Sequence, residues 1–162
     1  MAKTYTPIAT QTLTSNVSTI TFSSISSAYT DLVLVASPVT TTSGNNYYLQ
    51  FNSDTGSNYS DTSIRGSGAA SSGRHSSASV GYVAFDSSTG LNNTVLTASI
   101  QNYSNTTTYK TILSRYSQAS AQVNATITLW RSTAAINAIT IGSDGGTLAL
   151  GGTFTLYGIL KA

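Results

Sequence analysis

Apolar residues in this chain return at every second position in segment after segment, a period that fits strands and not helices. In residues 46–52, Tyr47, Leu49 and Phe51 share one face, while Tyr48, Gln50 and Asn52 share the other. Ile20 and Phe22 alternate with Thr19 and Thr21, and Leu96, Ala98 and Ile100 with Val95, Thr97, Ser99 and Gln101. Phe154, Leu156 and Leu160 alternate with Thr153, Thr155, Tyr157 and Ile159. Residues 31–36, "DLVLVA", are apolar on both faces, which predicts a central position in a sheet. Turn formers separate these runs at 15–16, 43–46, 92–93 and 144–146.

The pattern predicts about nine or ten strands, at 8–13, 17–22, 31–37, 46–52, 78–85, 94–101, 109–116, 124–131, 136–141 and 152–160. Short strands at this spacing predict an all-β fold, an antiparallel β-sandwich of jelly-roll-like form, with residues 1–162 as one domain. No long segment has helical period, although 56–65 has room for a short helical turn. Residues 66–77, "GSGAASSGRHSS", read as a flexible or surface-lying loop.

The polar faces are built from hydroxyls rather than charges. About a third of the residues are Ser or Thr, glutamate is absent, and charged residues make up 7%, against roughly 25% in an ordinary domain. Ten Tyr and the regular aliphatics argue against disorder. The net charge is +2, and Lys3, Arg65, Arg74, Lys110, Arg115, Arg131 and Lys161 are scattered, so no specific nucleic-acid partner is expected. No run has the length of a membrane span, and the first residues, "MAKTYTPIATQ", lack the apolar stretch of a secretion signal. Without cysteine there is no thiolate site, and a single His cannot build a histidine metal centre, so no cofactor or metal is expected.

Asp54-Thr55-Gly56 has the letters of an aspartic-protease turn. That chemistry needs two carboxylates sharing a proton, so Asp54 alone would need a symmetric dimer. Residues 138–144, "AITIGSD", distantly echo the segment supporting such a loop. The residues preceding Asp54, however, are Asn52 and Ser53, and "NSDTG" is a run of turn formers. Residues 68–75, "GAASSGRH", miss the phosphate-loop pattern, with Arg74 and His75 where Lys and a hydroxyl belong. His75 lacks the G-x-S-x-G elbow of a serine hydrolase and reads as a surface residue. Five Asp offer no pair at a defined separation for glycoside hydrolysis. No catalytic, cofactor or metal residue is therefore assigned, and the chain reads as non-enzymatic. Trp130 shares a strand face with Thr126 and Thr128, which predicts that it is exposed, packed on another chain or covered by a loop. It and the Tyr residues are candidates for core filling, subunit contact or sugar stacking.

Five segments, in order, carry a resemblance: "AYTDLV" at 28–33, "FNSDTGSNYS" at 51–60, 100–111, 129–141 and the closing "GTFTLYGI" at 152–159. Together they resemble a group of small virion structural proteins of tailed bacteriophages. The resemblance implies a β-sandwich in which the Asp-Thr-Gly stretch has no catalytic role. It implies a capsid decoration (cement) protein, a homotrimer bound to the major capsid protein on the outer capsid surface, made in the bacterial host cytoplasm. Tail fibres, spikes and knobs that recognise the host surface use similar domains and are the alternative. The short chain, without a repetitive shaft or capsid-anchoring extension, favours decoration.

Overall fold

Strands with one apolar face must stack that face against another sheet, and this chain does so with two antiparallel sheets of unequal size. A computed structural model describes residues 4–37, 46–85, 94–118 and 122–160. Twelve strands lie in these residues: β1 (Tyr5–Thr12), β2 (Thr19–Phe22), β3 (Tyr29–Ser37), β4 (Asn46–Phe51), β5 (Tyr59–Gly66), β6 (Ala70–Ala78), β7 (Gly81–Phe85), β8 (Val95–Ile100), β9 (Lys110–Gln118), β10 (Gln122–Trp130), β11 (Ile139–Ser143) and β12 (Thr153–Leu160). The larger sheet runs β1-β12-β3-β8-β9-β10-β5-β6 and the smaller β2-β11-β4-β7. From β1 to β5 the chain changes sheet at every connection, a jelly-roll-like winding.

The alternations read from the sequence set the core. Leu32, Leu34, Ala36, Leu96, Ala98, Ile100, Phe154 and Leu156 of the large sheet face Ile20, Phe22, Leu49, Phe51, Ile139 and Ile141 of the small one, all buried. Burying one such aliphatic or aromatic side chain contributes about 1.5–3 kcal/mol. β3 is internal to its sheet, with Val33 and Val35 half-buried on its other face.

Two expectations fail in one region. Residues 59–66 are strand, not a helical turn, and most of the expected loop at 66–77 is the partner strand of a hairpin. The bend at 67–69 uses Gly68 at φ 92°. Beyond the buried Tyr59 at the hairpin's start, its inward residues include Asp61, Ser63, Gly73 and His75, so no apolar alternation marks it. Pairing with β10 along the whole of β5 supplies the ordering that composition does not. The expected strand 78–85 contains the end of β6, a bend, and β7. The expected turn at 92–93 and most of that at 43–46 lie outside the described residues.

Close packing fixes one glycine on β12. A Cβ at Gly158 would lie 2.3 Å from Cγ of Tyr29, at the root of the ring where it cannot swing away. Gly158→Ala should lower unfolding stability by about 1–3 kcal/mol in urea titration, as overpacking does. Gly66→Ala, whose Cβ would meet nothing nearer than Val123 Cγ2 at 3.9 Å, should change it by less than about 0.5 kcal/mol.

Candidate functional site

Asp54 holds a turn together. The chain leaves β4 through Asn52 and Ser53, both in the left-handed region at φ 52° and 57°, a conformation that Asn and other short polar residues tolerate best. The Asp54 carboxylate then accepts from Gly56 N (2.9 Å), Asn58 Nδ2 (2.9 Å) and Trp130 Nε1 (2.7 Å). Burial alone would raise its pKa, but these three donors outweigh burial and hold it below the ordinary carboxylate value. A carboxylate with both oxygens so engaged is fixed as an anion, whereas a protease dyad must pass a proton between its members.

The turn also places Trp130. The indole is 2% exposed, its ring 5.4 Å from that of Phe51 and 6.3 Å from that of Tyr59. Of the three expected placements it takes the one covered by a loop of its own chain: it is a core residue with its N–H tied to Asp54 in the turn after β4. Asn52 binds the β10–β11 connection, donating to Ala135 O (2.7 Å) and accepting from the amides of Asn137 and Ala138.

The other described aspartates are similarly engaged. Asp31 accepts from Asn102 N (2.6 Å), and Asp144 from the amide and side chain of Asn46 (2.8 and 3.0 Å). Asp61, 3% exposed, meets Nδ1 of His75 at 3.0 Å. Burial raises the pKa of Asp61, and its contacts with His75 only partly offset that. His75 is half-exposed at the sandwich edge, and its ring lies against Tyr82 and Phe85 of β7. Sequence reasoning placed His75 at the surface but missed its carboxylate partner, because the hairpin that joins them carries no apolar signal. Asp86 lies outside the described residues. Among the described residues no three of His, Cys, Asp and Glu come together as metal ligands.

The unusual surface is the outer face of the large sheet. On β10 the polar residues Gln122, Asn124, Thr126 and Thr128 point inward, and Val123, Ala125, Ile127 and Leu129 point outward. Gln122, Asn124 and Thr128 of the inward set have a definite task. β7 is an edge strand of the small sheet, and its carbonyls meet side chains from the opposite sheet. Asn124 Nδ2 and Gln122 Nε2 donate to Phe85 O, Thr128 Oγ1 to Tyr82 O, and Ser114 Oγ to Val83 O. Satisfying these buried acceptors puts the aliphatics of β10 outside, because adjacent residues on a strand face opposite ways.

Strand register gathers further apolar residues around them. Ile127 is level with Leu113 on β9 and Thr62 on β5, and Val123 with Ser117 and Gly66. Ile64, Val123, Ile127, Leu113 and Val95 are 67, 60, 56, 49 and 42% exposed, a cluster spanning β5, β10, β9 and β8. Two shallow depressions mark it, one of about 420 Å³ beside Val95, Arg115, Val123 and Ala125, the other of about 340 Å³ beside Thr62, Arg74, Ile127 and Leu129. An exposed apolar cluster of this extent is the usual mark of a contact surface.

No protein-family model and no curated protein matches the chain. The solved structures to which it has similarity include three at a TM-score of 0.37 each. The first is an exo-inulinase from Aspergillus awamori (12% identity, 96% of this chain, 29% of that one). The second is a GH43 protein from Bacillus licheniformis (12% identity, 80% and 27%). The third is a galectin from Caenorhabditis elegans (13% identity, 90% and 94%). The chain thus spans less than a third of the first two. At these scores no function is carried across.

Two substitutions test the polar cluster. Asp54→Asn, which turns charge-assisted bonds into neutral ones, should cost about 1–3 kcal/mol at neutral pH. Because the folded-state pKa of Asp54 is lowered, its contribution is present above the ordinary carboxylate range and lost as pH falls below it. Wild type and Asp54→Asn should therefore converge in acid when unfolding is followed against pH. His75→Ala leaves the buried Asp61 carboxylate without its partner. Because the Asp61 pKa is raised, the variant's deficit should grow as pH rises through that value and shrink in mild acid.

Proposed function

We propose that this chain is a non-enzymatic structural protein of a tailed-phage virion. It acts as a capsid decoration (cement) protein, a homotrimer bound between subunits of the major capsid protein on the outer surface of the head. It is made in the bacterial host cytoplasm and acts without cofactor, membrane or specific nucleic acid. The observation that carries this reading is the outer face of β5, β8, β9 and β10, an apolar surface on a β-sandwich whose described aspartates are all engaged in holding its own chain. Such a molecule works by presenting surface. The order of the five resembling segments supplies the virion context.

A tail-fibre, spike or knob domain is the second reading. It is favoured by exposed tyrosines on which a sugar ring could stack, Tyr109 and Tyr5, the latter edge-to-face with the half-buried Tyr157 at 6.3 Å.

Quantitative mass spectrometry of purified virions separates the two. A decoration protein is present in fixed, high proportion to the major capsid protein, and the purified chain rebinds particles that lack it. With so few surface charges, that binding should change little between low and high salt. A handful of copies that travel with the tail, together with glycan binding lost on Tyr109→Ala, would overturn decoration in favour of the second reading.

A further inference from the structure

A sheet edge exposes unpaired backbone donors and acceptors, and folds ordinarily blunt it. The two sheets have four edge strands, β1, β6, β2 and β7. Three are blunted. β1 carries Pro7, which has no N–H, and a bulge between Pro7 and Ala9. β2 is four residues long. β7 is five residues long, and its carbonyls accept from Ser114, Gln122, Asn124 and Thr128 of the opposite sheet. β6 has none of these devices from Ala70 to His75, a run without proline that pairs with β5 in unbroken register. Its irregularity comes only beyond that run, where the register shifts and Ser77 stands at φ 55°. The other side of β6 meets no strand, and among the described residues no backbone–backbone hydrogen bond reaches it.

We propose that the open edge of β6 takes up an extended segment of a different protein chain as a further strand, with an acidic residue opposite Arg74 and an apolar residue opposite His75. The proposal stands apart from the virion reading, since it names the chemistry of the segment and not the particle it comes from.

The side chains beside the edge select this occupant. Adjacent residues of a strand face opposite ways, so Arg74 and His75 address the two faces of any strand laid beside them. Arg74 is level with Thr62 on the outer face of the large sheet. It is exposed, and among the described residues it meets no carboxylate. Lys110 and Arg131, by contrast, donate to carbonyls of their own fold. A carboxylate directly opposite Arg74 would complete a cross-strand pair. His75 turns to the inner face, where its Nδ1 lies 3.0 Å from Asp61 and the Phe85 ring stacks on it at 5.5 Å. Its side chain is still 43% exposed, so the ring is held in place with one part open, a ledge for an apolar side chain. A second copy does not fit. The chain has no glutamate, and the four described aspartates hold their own turns and strands. Antiparallel pairing of two β6 strands about Arg74 would also set guanidinium against guanidinium, which like charges oppose. Main-chain pairing supplies the rest of the affinity, as it does wherever an extended peptide adds to a sheet.

The test is fluorescence anisotropy with labelled peptides of about nine residues, alternating threonine and valine, with glutamate or lysine in place of the central threonine. Wild type should bind the glutamate peptide saturably and about fivefold more tightly than the lysine peptide. Arg74→Glu, a change at an exposed position, should reverse that preference while leaving the circular dichroism spectrum unchanged. The glutamate peptide N-methylated at every residue should not bind, because strand pairing needs its amides. In hydrogen exchange, amides of β6 should slow when the glutamate peptide is added, and those of β1 should not. Absence of saturable binding, equal affinity for the two peptides, or undiminished binding of the N-methylated peptide overturns the proposal. A wild-type dimer by light scattering, in which β6 amides slow as protein concentration rises, overturns it in favour of a second copy. Copy number in virions bears only on the virion reading, which can fail while the edge binds peptide or hold while the edge does not.

Discussion

The register of β10 is the constraint on which the rest of this structure depends. Trp130 at its end is buried against Phe51 and Tyr59, and its indole N–H donates to Asp54. A slip of one residue would turn every side chain of the strand over. Val123, Ala125, Ile127 and Leu129 would enter the core. The larger three aliphatics would gain about 1.5–3 kcal/mol each. Against that, the β7 carbonyls of Tyr82 and Phe85 would lose partners at about 1–3 kcal/mol each, and the burial of Trp130 would be lost. Within one chain the two sides are of similar size. The β7 carbonyls and the buried Trp130 hold the observed register, and a partner covering the outward aliphatics would remove what that register costs.

The Asp-Thr-Gly letters acquire a physical meaning in this frame. Asp54 is a carboxylate in a turn, but the turn is an anchor rather than a reactive centre. Its three donors come from the turn itself and from the end of β10, so one side chain ties the connection after β4 to the strand that carries the outer face. The same economy runs through the described aspartates, each joining two distant pieces of backbone or side chain. In a chain with 7% charged residues, the four described aspartates are committed to structure.

Much of this fold was legible in the sequence because period-two alternation is a direct consequence of strand geometry. The buried sets of β2, β4 and β8, and the two-sided apolar character of β3, follow from their residues alone. Alternation says which residues share a face, but not which face is inside. For β10 that choice is made by the carbonyls of β7, a strand nearly forty residues away, so the sequence showed Trp130 among threonines without showing that the threonines were core. The β5–β6 hairpin was hidden for a related reason. Its inward residues Asp61, Ser63 and His75 are polar and paired, and Gly and Ser dominate its second strand, a composition that reads as loop. The candidate surface was therefore invisible until register placed Ile64, Ile127 and Leu113 side by side.

The most direct measurement is the reactivity of single thiols placed along β10. The chain has no cysteine of its own, so Ile127→Cys and Thr126→Cys each report one face of the strand to a maleimide probe. If a partner covers the outer face, the thiol at 126 is protected in the free chain and on virion particles alike. The thiol at 127 is then protected on the particles and becomes reactive when the chain is released and diluted. A thiol at 127 that reacts at the rate of a free peptide thiol on the particles too, while 126 stays protected, would contradict the account by showing the aliphatic face of β10 open to water.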